Sequence, residues 1–294
     1  MRLTAFAIAT ALPTIAPAMP FQPVEGSPSF VVVMGCLNGN QPTRTLVDTG
    51  AAPAFGVFLS PDAALHAGMR WNGAPKINKG AVGKPVTTFR ASIKSFSIGQ
   101  ISTDTAGISS SVATAGANGR FDALVGHHFL RNASFSIDYK ARDIRFGIVP
   151  ASEGVPFLLP RLSPLILMRA NVNNVPLTFA FDTAAESFLM SPSAARRARL
   201  DVGPPTRISG GGGFEGGRSA QAIVAMPSLT PRTLRVLVAR VVDRVAAEAG
   251  TNIDGIIGPN ALRLDGLGID YPRRRIWLNP PRPQGREVSP RRCA

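Results

Sequence analysis

The apolar positions of this chain fall into short runs cut by turn-forming residues. "FVVVMGCLNGNQPTRTLVDTG" (30–50) holds two apolar runs parted by Asn-Gly-Asn, which predicts a β-hairpin ending on a loop that opens with Asp48. "LILMRANVNNVPLTFAFDTA" (165–184) repeats the pattern around Asn173-Asn174 and ends on Asp182. After each hairpin, Ser60-Pro61 and Ser191-Pro192 predict a short helix, with serine as the N-cap and proline at the first position. A glycine-rich segment comes next, at 79–83 and 210–217. More strand-like text leads into "ALVG" (123–126) and "GIIG" (255–258). A short helix and a last hairpin around Asp138-Tyr139 or Asp270-Tyr271 close each half. The pattern predicts an all-β fold class with a few short helices.

The parallel extends to identity. Residues 121–146 and 253–278 align at an offset of 132 without a gap and share 9 of 26 positions. Average residue usage would give roughly one or two. "LSPDAALHAGM" (59–69) aligns with "MSPSAARRARL" (190–200) at offset 131, and Asp48-Thr49 with Asp182-Thr183 at offset 134. The chain therefore reads as a duplicated unit, with one copy at 29–149 and the other at 165–281. Pro-rich 150–164 reads as a linker, and 282–294 as a basic Pro/Arg-rich tail.

Composition supports a globular reading: 45% of the 294 residues are hydrophobic and 17% charged, and 29 Gly with 26 Pro suit many short strands. The net charge of +14 comes largely from arginine, at Arg196, Arg197 and Arg199 and along the C-terminal tail. These arginines are not interleaved with aromatics, which argues against a nucleic-acid partner and for an electropositive surface facing an anionic envelope. Arg2, an apolar stretch to Ile15 and Ala16-Pro17-Ala18 read as a signal peptide over 1–18, so the protein is expected to be exported, periplasmic or secreted. No later apolar run is long enough to span a membrane. Export permits a bond between Cys36 and Cys293, but sequence leaves the bonded and free forms both open.

Two carboxylates in equivalent loops allow chemistry that one does not. Like charges a few ångström apart share one proton, so one group takes a proton from water while the other donates to a carbonyl oxygen. Thr49 and Thr183 are placed to tie the two loops together by hydrogen bonds. Other motifs read as bland. "GGGFEG" (211–216) is followed by strand-like text rather than a nucleotide-binding helix. His127-His128 sit at a surface turn or helix start with His66 as the one other histidine, and no metal or cofactor motif is found. Asp104 in "TDTAG" lacks an apolar lead-in, and Asp138 and Asp270 read as turn formers.

The order apolar-apolar-Asp-Thr-Gly-Ala, glycine-rich flap, then "ALVG" or "GIIG" and a short helix, resembles the retropepsin-like aspartic proteases, here with two units in one chain. The resemblance runs from about 29 to 281. It implies two pseudo-twofold-related β-barrel lobes acting as a monomer on peptide or unfolded protein, without metal or cofactor. Pairing of each lobe with a lobe of another chain is the alternative assembly. The catalytic pair would be Asp48 and Asp182, supported by Thr49, Gly50, Thr183 and Ala184. Flap residues would be Gly80, Ala81, Val82 and Gly83 in one copy and Gly211, Gly212, Gly213 and Phe214 in the other. Gly126 and Gly258 would let the backbone pass close behind the loops. Ala184 departs from the usual glycine, and a non-catalytic peptide-binding protein on the same scaffold is the alternative function.

Overall fold

A computed structural model describes residues 14–15, 17–51, 56–78, 86–104, 109–113, 120–160, 163–210, 213–281, 286–287 and 293. Strands make up 48% and helices 11%, arranged as two curled sheet bodies. The N-terminal body is a ten-stranded sheet and the C-terminal body a seven-stranded one.

Each body is organised by its first hairpin. Strands Ser27–Leu37 and Gln41–Val47 pair antiparallel, with Val32 opposite Leu46. Asn38 and Gly39 make the turn at φ 53° and 85°, the left-handed region that favours Asn and Gly. Strands Ile166–Val172 and Val175–Phe181 pair likewise through Asn173 and Asn174, at φ 48° and 65°. Each returning strand then takes a parallel partner: Ala123–Val125 beside Thr45–Val47, and Gly255–Ile257 beside Phe179–Phe181. Asp122 and Asp254 pin those partners, accepting from the Arg44 and Thr178 backbone N–H groups at 2.9 and 2.8 Å. Val47 and Phe181, the residues just before the two aspartates, are both 0% exposed. Each strand thus enters its loop from a rigid, buried anchor.

The helices are short. Helix α1 (Pro61–His66) is capped by the Ser60 side chain, which accepts from Ala63 N–H. Helix α2 (His127–Leu130) follows Gly126. Helix α3 (Pro192–Arg197) is capped by Ser191, which accepts from Ala194 N–H. Both serine caps match the sequence expectation. Helix α4 (Val241–Ala249) was not expected, because its valine-rich approach reads as strand. Val241 and Val242 are fully buried, and Gly250 ends the helix at φ 59°.

A six-stranded sheet joins the two bodies, in the order 155–156, 275–278, 266–270, 134–138, 143–146 and 19–20. Its centre is the antiparallel pair 134–138 and 266–270, where Phe135 lies opposite Ile269. Two differences from the sequence reading follow. Residues Met19–Val24 precede the expected start at 29, yet Met19 and Phe21 are buried and their segment joins the sheets. The 150–164 segment is no loose tether. Val155–Pro156 adds a strand, Phe157 is buried, and Leu158 bridges to Leu167. Within the expected leader, Thr14–Ile15 pairs parallel with Arg286–Glu287 of the tail. Cys36 and Cys293 are joined in a disulfide, with Cα atoms 5.4 Å apart. No helix among the described residues is long and apolar enough to cross a membrane.

Candidate active site

The two Asp-Thr loops meet at the junction of the bodies. Asp48 N–H donates to Val125 C=O and Asp182 N–H to Ile257 C=O, each at 3.0 Å, so each loop hangs from its parallel partner strand. The threonines then lock the loops to each other. Thr49 N–H donates to Thr183 Oγ1 at 3.0 Å, and Thr183 N–H donates to Thr49 Oγ1 at 3.0 Å. Each hydroxyl passes its own proton on, Thr183 Oγ1 to Val47 C=O at 2.9 Å and Thr49 Oγ1 to Phe181 C=O at 3.4 Å. Both threonines are 0% exposed, so these four bonds run through a dry interior where losing one is costly.

That lock sets Asp48 and Asp182 side by side: Gly50, two residues from Asp48, lies so close that a Cβ there would be 2.4 Å from the Asp182 carboxyl, and each aspartate bears on the other's ionisation. Asp48 Oδ1 accepts from Gly50 and Ala51 N–H groups, both at 2.9 Å, and Asp182 Oδ1 accepts from Ala184 N–H at 2.7 Å. Withdrawal from solvent pushes both carboxyls up from their ordinary range. At Asp48 the Asp182 charge beside it adds to the cost of ionising. Backbone N–H donors partly offset the rise at Asp182. Two carboxyls so close and so raised can hold one proton between them, an arrangement that can supply an acid and a base in one place.

The Gly50 and Ala184 positions are not equivalent in space. A Cβ on Gly50 would lie 2.4 Å from Asp182 Cγ, so glycine is required for the second carboxyl to approach. Ala184 instead packs its methyl against the apolar cluster of Val24, Val32 and Leu46, and its N–H still serves Asp182. Behind the second loop, a Cβ on Gly258 would fall 1.8 Å from Ala185 C=O, so the backbone crossing there admits no side chain. Gly126 takes an extended conformation ahead of α2.

Of the expected flap residues, Gly80, Ala81, Val82, Gly83, Gly211 and Gly212 lie outside the described residues. Gly213 and Phe214 open the second strand of a hairpin formed by Pro205–Gly210 and Gly213–Ala225. Phe214 is 63% exposed, and the Arg207 guanidinium stacks over its ring at 4.2 Å. Glu215 pairs with Arg244 of α4, and Ile208 is buried against Val241 and Val242, so this hairpin rests on the unexpected helix.

Sequence reading missed three groups at this junction. Glu186, four residues past Asp182, accepts from Ser29 N–H and Oγ at 3.3 and 2.8 Å and so clamps the loop to the other body. Burial raises its carboxyl, with the Ser29 bonds working against the rise. His127 does begin a helix, but it is half-buried rather than superficial, and its backbone N–H donates to Ala51 C=O at 3.1 Å. Tyr271, read as a turn residue, is 2% exposed with its ring edge-on to His127 at 5.4 Å. None of these has a sequence signal, since each partner is far along the chain.

No group of three or more His, Cys, Asp or Glu among the described residues is arranged to hold a metal ion. No curated protein matches the chain. Residues 168–261 match the family model described as Aspartyl protease, a span that takes in Asp182, Thr183, Ala184, the 205–225 hairpin and Gly258.

Proposed function

We propose that the protein is an aspartic endopeptidase whose catalytic pair is Asp48 and Asp182, working as two pseudo-equivalent retropepsin-like lobes of one chain. The observation that carries the reading is the reciprocal Thr49–Thr183 lock, which holds the two aspartate loops so close that a Cβ on Gly50 would lie 2.4 Å from the Asp182 carboxyl. The similarity of residues 168–261 to aspartyl proteases supports the same reaction class.

In the mechanism, the pair enters the reaction with one proton. The ionised carboxyl takes a proton from a water held between the two, and that water attacks the peptide carbonyl carbon. The protonated carboxyl donates to the carbonyl oxygen as the tetrahedral centre forms. The carboxyl that took the water's proton then gives it to the departing nitrogen while the other carboxylate takes a proton back from a hydroxyl of the tetrahedral diol, so the C–N bond breaks, the acid and amine products form, and the pair again holds one proton. The loop N–H donors on Asp48 and Asp182 hold both carboxyls in orientation, so little reorganisation is needed at the moment of reaction. The substrate is an extended peptide or unfolded protein, covered from one side by the 205–225 hairpin.

The signal-like N-terminus supports export to the periplasm or medium, with Met19 as the first residue of the mature chain. Ala184 is compatible with turnover, because its methyl points into an apolar cluster and its N–H stays on Asp182. The test is incubation of the mature chain with an unfolded protein between roughly pH 3 and 7, a range set by carboxylate titration. Fragments are expected from wild type and none from Asp48→Asn. Equal cleavage by both would end the proposal, and no cleavage by either would favour a peptide-binding protein on the same scaffold.

A further inference from the structure

Three polar atoms near the carboxyl pair have no evident employment. Tyr271 Oη, Tyr139 Oη and His127 Nδ1 are all buried, and none finds a hydrogen-bond partner among the described residues. A buried hydroxyl left unpaired is costly, and a fold keeps one where something compensates. Two such hydroxyls, on Tyr139 and Tyr271, belong to the same aligned position of the two halves.

Tyr271 is tied to the site by a continuous chain of contacts. Its ring stands edge-on to the His127 ring at 5.4 Å, the His127 backbone N–H donates to Ala51 C=O at 3.1 Å, and the Ala51 backbone N–H donates to Asp48 Oδ1 at 2.9 Å. On its far side, Phe157 from the 150–164 segment closes over the ring at 6.0 Å. The position aligned with His127 is Pro259, so an imidazole backs the first loop alone.

We infer that Tyr271 is a positioning residue for the carboxyl pair: its buried phenol O–H turns toward the shared negative charge behind the first loop and stabilises the singly ionised state. The inference rests on Asp48 and Asp182 being the working pair. Burial first, and then the charges of Asp48 and Asp182, push the Tyr271 hydroxyl above its usual range, so it stays protonated wherever the pair titrates. The neighbouring His127 is held below its usual value by burial, then by the nearby His128 and Arg131. Tyr139 is raised in the same manner, by burial and then by Glu186 and Asp182. In a dry site, a hydroxyl with no other acceptor orients its proton along the field of the nearest anion, without spending any competing bond. That orientation favours ionised carboxyls, so both limbs of the pH–rate profile are drawn to lower pH.

The chain contains two tyrosines, which makes the test direct. The full-length mature protein is labelled with 13Cζ-tyrosine, and Tyr139→Phe assigns the two signals. The Tyr271 signal is expected to follow an acid titration step in wild type and to lose that step in Asp48→Asn. The variant Tyr271→Phe is expected to melt no lower than wild type while its pH–rate profile moves to higher pH by on the order of half a unit. A Tyr271 signal that stays flat from pH 3 to 8, or a superimposable pH–rate profile in Tyr271→Phe, would overturn the inference. A protein that cleaves nothing but still shows the coupled signal keeps the inference and overturns the protease reading. Cleavage with a flat signal does the reverse.

Discussion

Replacing Gly50 by alanine tests how closely the two loops are packed. The added Cβ would lie 2.4 Å from both Cγ and Oδ2 of Asp182 and 2.8 Å from Oδ1. Ordinary contact begins at 3.4 Å, so the carboxyl or the loop must retreat by about 1 Å. Retreat of the carboxyl stretches its bond from Ala184 N–H, now 2.7 Å, and draws it away from Asp48. Retreat of the loop strains the Thr49–Thr183 lock. Overpacking of this kind costs about 1–3 kcal/mol of stability. Displacing a reacting group by about 1 Å costs on the order of 100-fold in rate. The reciprocal change, Ala184→Gly, removes a methyl from the Val24–Val32–Leu46 cluster and frees the backbone. It is expected to cost about 1–2 kcal/mol of stability with activity retained. The assay is a thermal melt together with cleavage of an unfolded protein for wild type and both variants. Gly50→Ala with wild-type turnover and melting temperature would refute the packing argument.

Other consequences can be measured the same way. Thr183→Val keeps the volume but leaves Thr49 N–H and Val47 C=O unpaired, at about 1–3 kcal/mol each, read as a lower urea midpoint. Cys36→Ser opens a bridge spanning 257 residues, and by chain entropy is expected to cost up to about 5 kcal/mol, with the same melting shift on adding reductant to wild type. Because the folded protein raises both carboxyls of the pair, their contribution to stability is complete at low pH and is lost as pH rises through their folded values. Asp48→Asn, which removes one of two crowded charges, is therefore expected to melt higher than wild type at neutral pH and to lose that advantage in acid. Equal gains at both pH values would count against a shared proton.

Much of the candidate site's framework was legible because its signals are local. Asp48 and Asp182 follow apolar runs with turn residues at known spacing, and Ser60 and Ser191 sit directly before proline and a helix. These features depend on a few consecutive residues, and the hydrogen bonds of both caps form as the pattern requires. Helix α4 was missed for a comparable reason. Its approach, "RVLVARVVDRV", is rich in β-branched residues, and the helix is decided by Val241 and Val242 burying against Ile208 and Ile256. Glu186 and Ser29 are 157 residues apart, so their clamp exists only once the two bodies are joined. Tyr271 reads as a turn residue because its neighbours form one, and its burial comes from His127 and Phe157, which lie elsewhere in the chain. The 150–164 segment looks like a linker by its prolines, but Phe157 gives it a place in the core.

The account stands or falls on Asp48 and Asp182 acting as one unit. Measuring kcat/KM for wild type, Asp48→Asn, Asp182→Asn and the double variant on one peptide tests this most directly. If the two carboxyls share a proton and a water, either single change removes nearly all activity and the double change adds little. A single variant that retains wild-type kcat/KM, or losses that multiply in the double variant, would contradict the shared site.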